Sequence, residues 1–302
     1  MTCPLLYRFR VIDRRPEPPD AITTRGTLVH AVLERLFDAP AHARTLERAG
    51  ELLEPEWRRL LDERPELAAL FADPAMPGDV TELGGGVEGV DAVNRAEAVG
   101  AADAEQPSAA EQLRAWLASA HRLIETYFTL EDPGRVEPAQ RELHVEVELD
   151  DGVRLRGFVD RVDVAPTGQV RIVDYKTGRS PSELFEDKAL FQLKFYALVM
   201  WRVSGAIPTM LQLMYLGDGE VLRYSPDEAD LLATERKVRA LWAAIERALA
   251  NRHFPPRRSR LCDWCAHQSV CPEFGGTPPP YPQSATVVLP VDEPSWADDA
   301  MP

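Results

Sequence analysis

Residues 157–178 read GFVDRVDVAPTGQVRIVDYKTG, two β-branched runs on either side of the turn Pro166-Thr167-Gly168. Runs joined this closely predict neighbouring antiparallel strands, here over 153–164 and 169–176. Asp160 then ends the first run and Asp174-Tyr175-Lys176 the second, so pairing gathers their polar groups at one end of a sheet. Two carboxylates meeting in a partly dry site repel unless a cation lies between them, and hard oxygen ligands suit Mg²⁺ or Mn²⁺. Lys176 lies two positions past Asp174 and projects from the same strand face. An ammonium there can orient or deprotonate a metal-associated water and stabilise charge on a phosphate. A bare D-x-K is common by chance, and a solvated strand end carries the same charges, so the surrounding sequence has to decide.

Upstream, Leu143, Val145, Val147 and Leu149 alternate with Glu142, His144, Glu146 and Glu148, the pattern of a half-buried strand beginning at Arg141. With the next two strands it predicts a meander, and TMLQLMYLG at 209–217 predicts a fourth strand. Helical spacing runs over 22–37, with Thr23, Thr24 or Thr27 as its cap, and over 45–71 with interruptions at Pro55 and Pro65. It resumes near Glu111 through Trp116, Leu123 and Tyr127, and again over 183–203 and 227–250.

The chain of 302 residues has 34 Lys and Arg against 49 Asp and Glu, a net charge of −15. Spread evenly, that would argue against a nucleic-acid binder, which needs a basic footprint. It is not spread evenly. Residues 72–112 hold nine acids against one base, and 273–302 hold five acids and no base, so these two stretches carry −13 of the total. The first is poor in large apolar residues and the second is rich in Pro and Gly, which predicts a flexible acidic insertion and a disordered, Pro-rich acidic tail whose Trp296 sits among solubilising charge. By contrast, residues 1–36 carry six Arg against four acids and 251–271 four Arg against one. No apolar run approaches the roughly 18 residues of a membrane span, and arginines stand where a signal peptide would be apolar, which predicts a cytoplasmic protein. No Walker-type phosphate loop is present, so the chain carries no ATPase motor of its own.

Cys262-x2-Cys265-x5-Cys271 lies near one end and Cys3 near the other. Four thiolates so arranged fit Zn²⁺ or an iron-sulfur cluster.

Four further elements occur in order: G-x-x-x-H from Gly26 to His30, G-x-x-D-R-x-D from Gly157 to Asp163, D-Y-K-T-G from Asp174 to Gly178, and Q-x-x-x-Y from Gln192 to Tyr196. In this ordered set, spread over most of residues 1–272, the sequence resembles the PD-(D/E)xK nuclease superfamily, in particular RecB-like exonucleases of the AddB, Cas4 and exonuclease V kind. The resemblance implies an α/β (α+β) restriction-endonuclease-like core, a mixed β-sheet flanked by helices, with a helical N-terminal segment and a cysteine-stapled one at 251–272. It implies that His30, Asp160, Asp174 and the Tyr175 carbonyl ligate Mg²⁺ or Mn²⁺, with Lys176 at the nucleophilic water. Gln192 and Tyr196 would brace the site and meet the DNA strand, with Glu142 and Glu34 in supporting roles. Asp163 is expected to face away from the ligands and pair with Arg161 or Arg156. Cys3, Cys262, Cys265 and Cys271 would hold a [4Fe-4S] cluster, Zn²⁺ being the alternative, although the segment ahead of Cys3 is shorter than in that family. The expected activity is exonucleolytic hydrolysis of DNA, at single strands or ends, in repair or recombination. The competing expectation is a non-catalytic DNA-binding or complex-assembly module on the same fold.

Overall fold

The computed structural model describes residues 3–71, 107–181 and 186–282. Five strands form one sheet in sequence order: β1 Gln140–Glu148, β2 Arg154–Val164, β3 Val170–Lys176, β4 Met210–Tyr215 and β5 Glu220–Tyr224. The first three make the expected antiparallel meander, β4 joins β3 in parallel, and β5 returns antiparallel. A parallel pair requires a crossover, and the helix Glu186–Ser204 supplies it. β5 is the strand that periodicity does not announce, because EVLRY is short and alternates poorly; its herald is the turn at Gly219, whose φ is 76°.

Helices α1 to α6 run Pro4–Tyr7, Ala21–Leu36, Leu46–Glu63, Ala109–Leu130, Glu186–Ser204 and Glu228–Asn251. On one sheet face α2, α3 and α4 bury Leu33, Trp57 and Ile124 against Val173, Tyr175 and Met214. On the other, α5 and α6 bury Leu193, Ala197 and Leu231 against Ile172, Leu211 and Leu213. Successive residues of β3 and β4 therefore serve opposite layers, which is why apolar residues adjoin one another at Ile172–Val173 and Leu213–Met214.

β2 breaks this alternation at the position that matters most. Leu155, Val159 and Val162 all pack on the α5 side, whereas Arg161 reaches the other layer beside Phe37 and Tyr175. A change from odd to even positions means that the strand turns about its axis near Asp160. Opposite it on β1, Glu142 takes φ 44°, between the intact pairs Arg141–Arg161 and Leu143–Val159. A left-handed glutamate costs roughly 1–3 kcal/mol, and strain of this kind gathers at functional sites.

Three local expectations are corrected. The N-cap of α2 is Asp20, whose side chain accepts from the Thr23 N–H, and not one of the threonines. α3 runs through Pro55, which lies on its exposed side, where water can serve the freed Glu51 carbonyl. α4 opens on a capping box between its N-cap Ser108 and Glu111, so 109–112 belong to the helix, and the acidic residues 72–106 lie outside the described residues.

A small third core joins the ends of the chain. After α1 the helix widens into a π-turn to Ile12, and Leu5 and Phe9 bury against Phe254. Residues 273–282, expected to begin the disordered tail, are packed on this core: Tyr281 stacks on Phe254 at 6.1 Å, and Arg8 donates to the Pro279 carbonyl at 2.5 Å. Trp296 and the rest of 283–302 lie outside the described residues. Among the described residues no helix is long and apolar enough to cross a membrane.

Gly157 of β2 carries the Tyr196 ring directly on its backbone; a Cβ there would lie 2.6 Å from Cε1. Gly157→Ala should therefore cost about 1–3 kcal/mol by overpacking, read as a lower urea midpoint with an unchanged slope; an unchanged midpoint would contradict this packing.

Candidate active site

The site forms where β2 and β3 part. Their pairing runs from Val164–Val170 to Arg161–Val173 and stops there. Asp160 does not end its strand, as the sequence suggested; β2 extends six residues before it, and Asp160 stands at the fork. There the Tyr175 N–H donates to Asp160 Oδ2 at 2.7 Å. α2 brings His30 over the fork, with Nδ1 3.4 Å from Asp160 Oδ2 and Nε2 2.8 Å from the Tyr175 carbonyl oxygen. Trp116 pins the first turn of this helix by donating from Nε1 to the Ala21 carbonyl at 2.9 Å.

His30, Glu142 and Asp160 each offer one ligand atom within 4.8 Å of the others. Glu142 is thus a full member of the cluster, not an auxiliary. Its sequence environment is an ordinary alternating strand, and only the left-handed kink aims it at the fork. Glu34 lines the same cleft.

On the α5 side the remaining expected residues form a chain of contacts. Lys176 Nζ lies 2.6 Å from Asp174 Oδ2 and donates to Gln192 Oε1 at 2.7 Å; Gln192 Nε2 donates to the Tyr196 hydroxyl at 2.7 Å. Asp174 is only 1% exposed. A cleft of about 850 Å³ opens over the fork between α2, α3 and the end of β3, lined by Thr23, Thr27, His30, Glu142, Phe158 and Lys176 among others.

So many acids in so little water hold protons unusually well. Burial and then the Asp160 charge raise Asp174 to about 6 against the pull of Lys176, and the same two causes raise Glu142 to about 7. Burial alone would lower His30, but Asp160, with Asp174 and Glu142 behind it, raises it to about 9. A divalent ion fits this donor set: carboxylates, a main-chain carbonyl and one imidazole are suitable ligands for Mg²⁺ or Mn²⁺.

Behind the fork lies a buried ion network. Arg161, 1% exposed, meets Glu131 at 2.7 Å and Asp163 at 3.1 Å, and Arg171 bridges the same two acids. The expected pairing of Asp163 is thus with Arg161 and Arg171. Arg161 also donates to the Tyr175 hydroxyl at 2.8 Å. The residue whose N–H holds Asp160 and whose carbonyl faces His30 is thereby fixed at its far end too, a role that motif reading did not suggest.

The four cysteines are free thiols that together line a cavity of about 160 Å³. Main-chain N–H groups of Arg257 and Ser259 approach the sulfurs of Cys3 and Cys262 at 3.4 and 3.3 Å. Cys3 caps α1, Cys262 lies on a short 3-10 turn and Cys265 and Cys271 flank such turns, so the two ends of the chain supply one site.

A mixed sheet with helices on both faces and acids, lysine and glutamine at a strand fork is the architecture of one nuclease group. The family model of the PD-(D/E)XK nuclease superfamily matches residues 1–272, and the chain belongs to that superfamily. Its members hydrolyse phosphodiesters with divalent metals. Among curated proteins it is similar to the Gene 69 protein of Mycobacterium phage L5, 30% identical over 211 residues that span 66% of each chain. It is also similar to the Gene 69 protein of Mycobacterium phage D29, 26% identical over 90% of this chain and 93% of that one. A solved protein of Eubacterium rectale, provisionally described as an exonuclease, is a partial likeness: 18% identity, 51% of this chain and 60% of that one, TM-score 0.38.

Because the fold raises the Glu142 carboxyl to about 7 from an ordinary 4.5, ionising it opposes folding: the penalty is absent below pH 4.5 and complete above pH 7. Metal-free Glu142→Gln should therefore melt with wild type at acid pH and above it at pH 8, with Mn²⁺ restoring wild type. Equal melting temperatures at pH 8 would contradict the crowding at the fork.

Proposed function

We propose that the protein is a metal-dependent DNA exonuclease of the RecB-like kind, acting on single strands or ends in repair or recombination. The observation that carries the reading is the cluster of His30, Glu142 and Asp160 at the fork, with the Asp174–Lys176 pair beside it and an open cleft lined by His30, Glu142 and Lys176 above. His30, Glu142, Asp160, Asp174 and the Tyr175 carbonyl would hold the ion, which when bound supplies Lewis acidity toward the phosphate and a more acidic water. Asp174 and Gln192 fix the Lys176 ammonium from two sides. An ammonium has three donors, and the third is free for the attacking water or a phosphate oxygen. Tyr196, through Gln192, keeps that geometry and stands beside the strand's path. Thr23 and Thr27, on the first turns of α2, offer hydroxyls to the backbone.

The cysteine cavity is read as a [4Fe-4S] site. A space of about 160 Å³ with sulfurs contributed from both ends suits a polynuclear cluster better than one Zn²⁺ ion. Its role is structural, closing the chain's ends around the nuclease core. A helicase would be the partner on duplex substrates.

End-labelled single- and double-stranded DNA with Mn²⁺ is the deciding assay. Wild type should shorten the single strand from an end, and Lys176→Ala or Asp160→Ala should lose at least about 100-fold in rate. Cleavage by either variant at the wild-type rate would overturn the site; DNA binding without cutting by metal-loaded wild type would favour an assembly module. Protein purified without oxygen should be brown, absorbing near ~400 nm, and Cys262→Ala should bleach it; a colourless protein containing zinc would displace the cluster.

A further inference from the structure

Beside the cysteines the chain exposes side chains that a surface ordinarily covers. Trp264 is 79% exposed and Leu261 59%. Both lie on the 3-10 turn Arg260–Trp264, where side chains three positions apart eclipse, so the indole and the leucine stand on one side. Phe274, 41% exposed, lies close by, with the Arg258 guanidinium 5.7 Å from its ring centre. Arg257, Arg258 and Arg260 are exposed, and among the described residues no carboxylate pairs with them. Three such arginines within seven positions of one indole, against the single acid Asp263 on that turn, are conspicuous in a chain of net charge −15.

Their position relative to the cleft can be bounded. His267 of the same segment contacts Glu17 Oε1 at 2.8 Å. Ile22, five residues beyond Glu17, lines the cleft and is 67% exposed. Five residues of extended chain reach at most about 18 Å, so the segment 17–22 that His267 holds runs directly into the cleft wall.

We propose that Trp264 and Leu261, with Arg257, Arg258 and Arg260, form a stacking platform for single-stranded DNA next to the catalytic cleft. The choice of ligand rests on the nuclease reading above. An indole stacks on any base, and guanidinium groups serve the phosphates between stacked bases. Spare positive charge favours a polyanion over a neutral protein surface. The platform adjoins the cysteine cavity, whose wall Leu261 and Arg257 share, and turns its exposed indole to the substrate.

The test is equilibrium binding of labelled oligothymidylate in the Lys176→Ala background, where binding is read without cutting. Trp264→Ala should weaken binding roughly tenfold or more, Trp264→Phe should retain most of it, and the melting temperature and visible absorption should not move. The double variant Arg258→Ala, Arg260→Ala leaves the indole in place and should flatten the salt dependence by about 0.7 in slope for each lost phosphate contact. Wild-type affinity in Trp264→Ala overturns the platform and points to a protein partner. If Trp264→Ala lowers the melting temperature, the arginine pair decides, and an unchanged slope overturns the proposal. A wild type that never cuts DNA, yet binds it through Trp264, defeats the nuclease reading alone; normal cutting with binding indifferent to Trp264 defeats the platform alone.

Discussion

Mutual repulsion among Glu142, Asp160 and Asp174 is the constraint around which the domain is built. Three acids brought this close to one another, one of them buried, would ionise together only at a prohibitive cost. The fold balances them from opposite sides. Lys176 comes from the same strand as Asp174, on the α5 face. His30 comes from α2 on the other face, against Asp160. Helices must therefore cover both sides of the sheet, and the strands must part between them. The Arg161 network makes that opening rigid, since its two arginines and two acids cancel in charge while locking Tyr175.

What could be read in the sequence follows from which interactions are local. Asp174 and Lys176 share a strand face by period two, and Gln192 and Tyr196 share a helix face by a spacing of four; both relations survive folding as hydrogen-bonded or ion-paired neighbours. The meander and the helices were legible for the same reason. Glu142 is legible only as a supporting acid, because its aim at the fork rests on a left-handed φ that nothing in a glutamate between Arg141 and Leu143 announces. β5 escaped notice because a five-residue strand is stabilised by its neighbour β4 more than by its own pattern. Residues 273–282 read as tail by their Pro-rich composition, which says nothing of Tyr281 finding Phe254.

The cysteine segment shows composition and structure serving different ends. As a compositional feature it is a short basic stretch in an acidic chain. Folded, it is half of a site completed by residue 3, held by Leu5 and Phe9 against Phe254 even apart from any ligand at the sulfurs. Its sulfurs point inward and its largest aromatic points outward, so the same dozen residues face both a buried cavity and the solvent.

The strand fork also has a consequence for how the chain comes to function during synthesis. His30 reaches the fork from helix α2, Glu142 and Asp160 from the first hairpin, Asp174 and Lys176 from β3, and Gln192 from the helix beyond it. No single segment contains the site, and its contacts link residues more than a hundred positions apart, as between His30 and Tyr175. Contacts of such long range form late, after the loops between them have closed. A nascent or partly folded chain consequently lacks the assembled site, and hydrolytic competence arrives only with the completed fold.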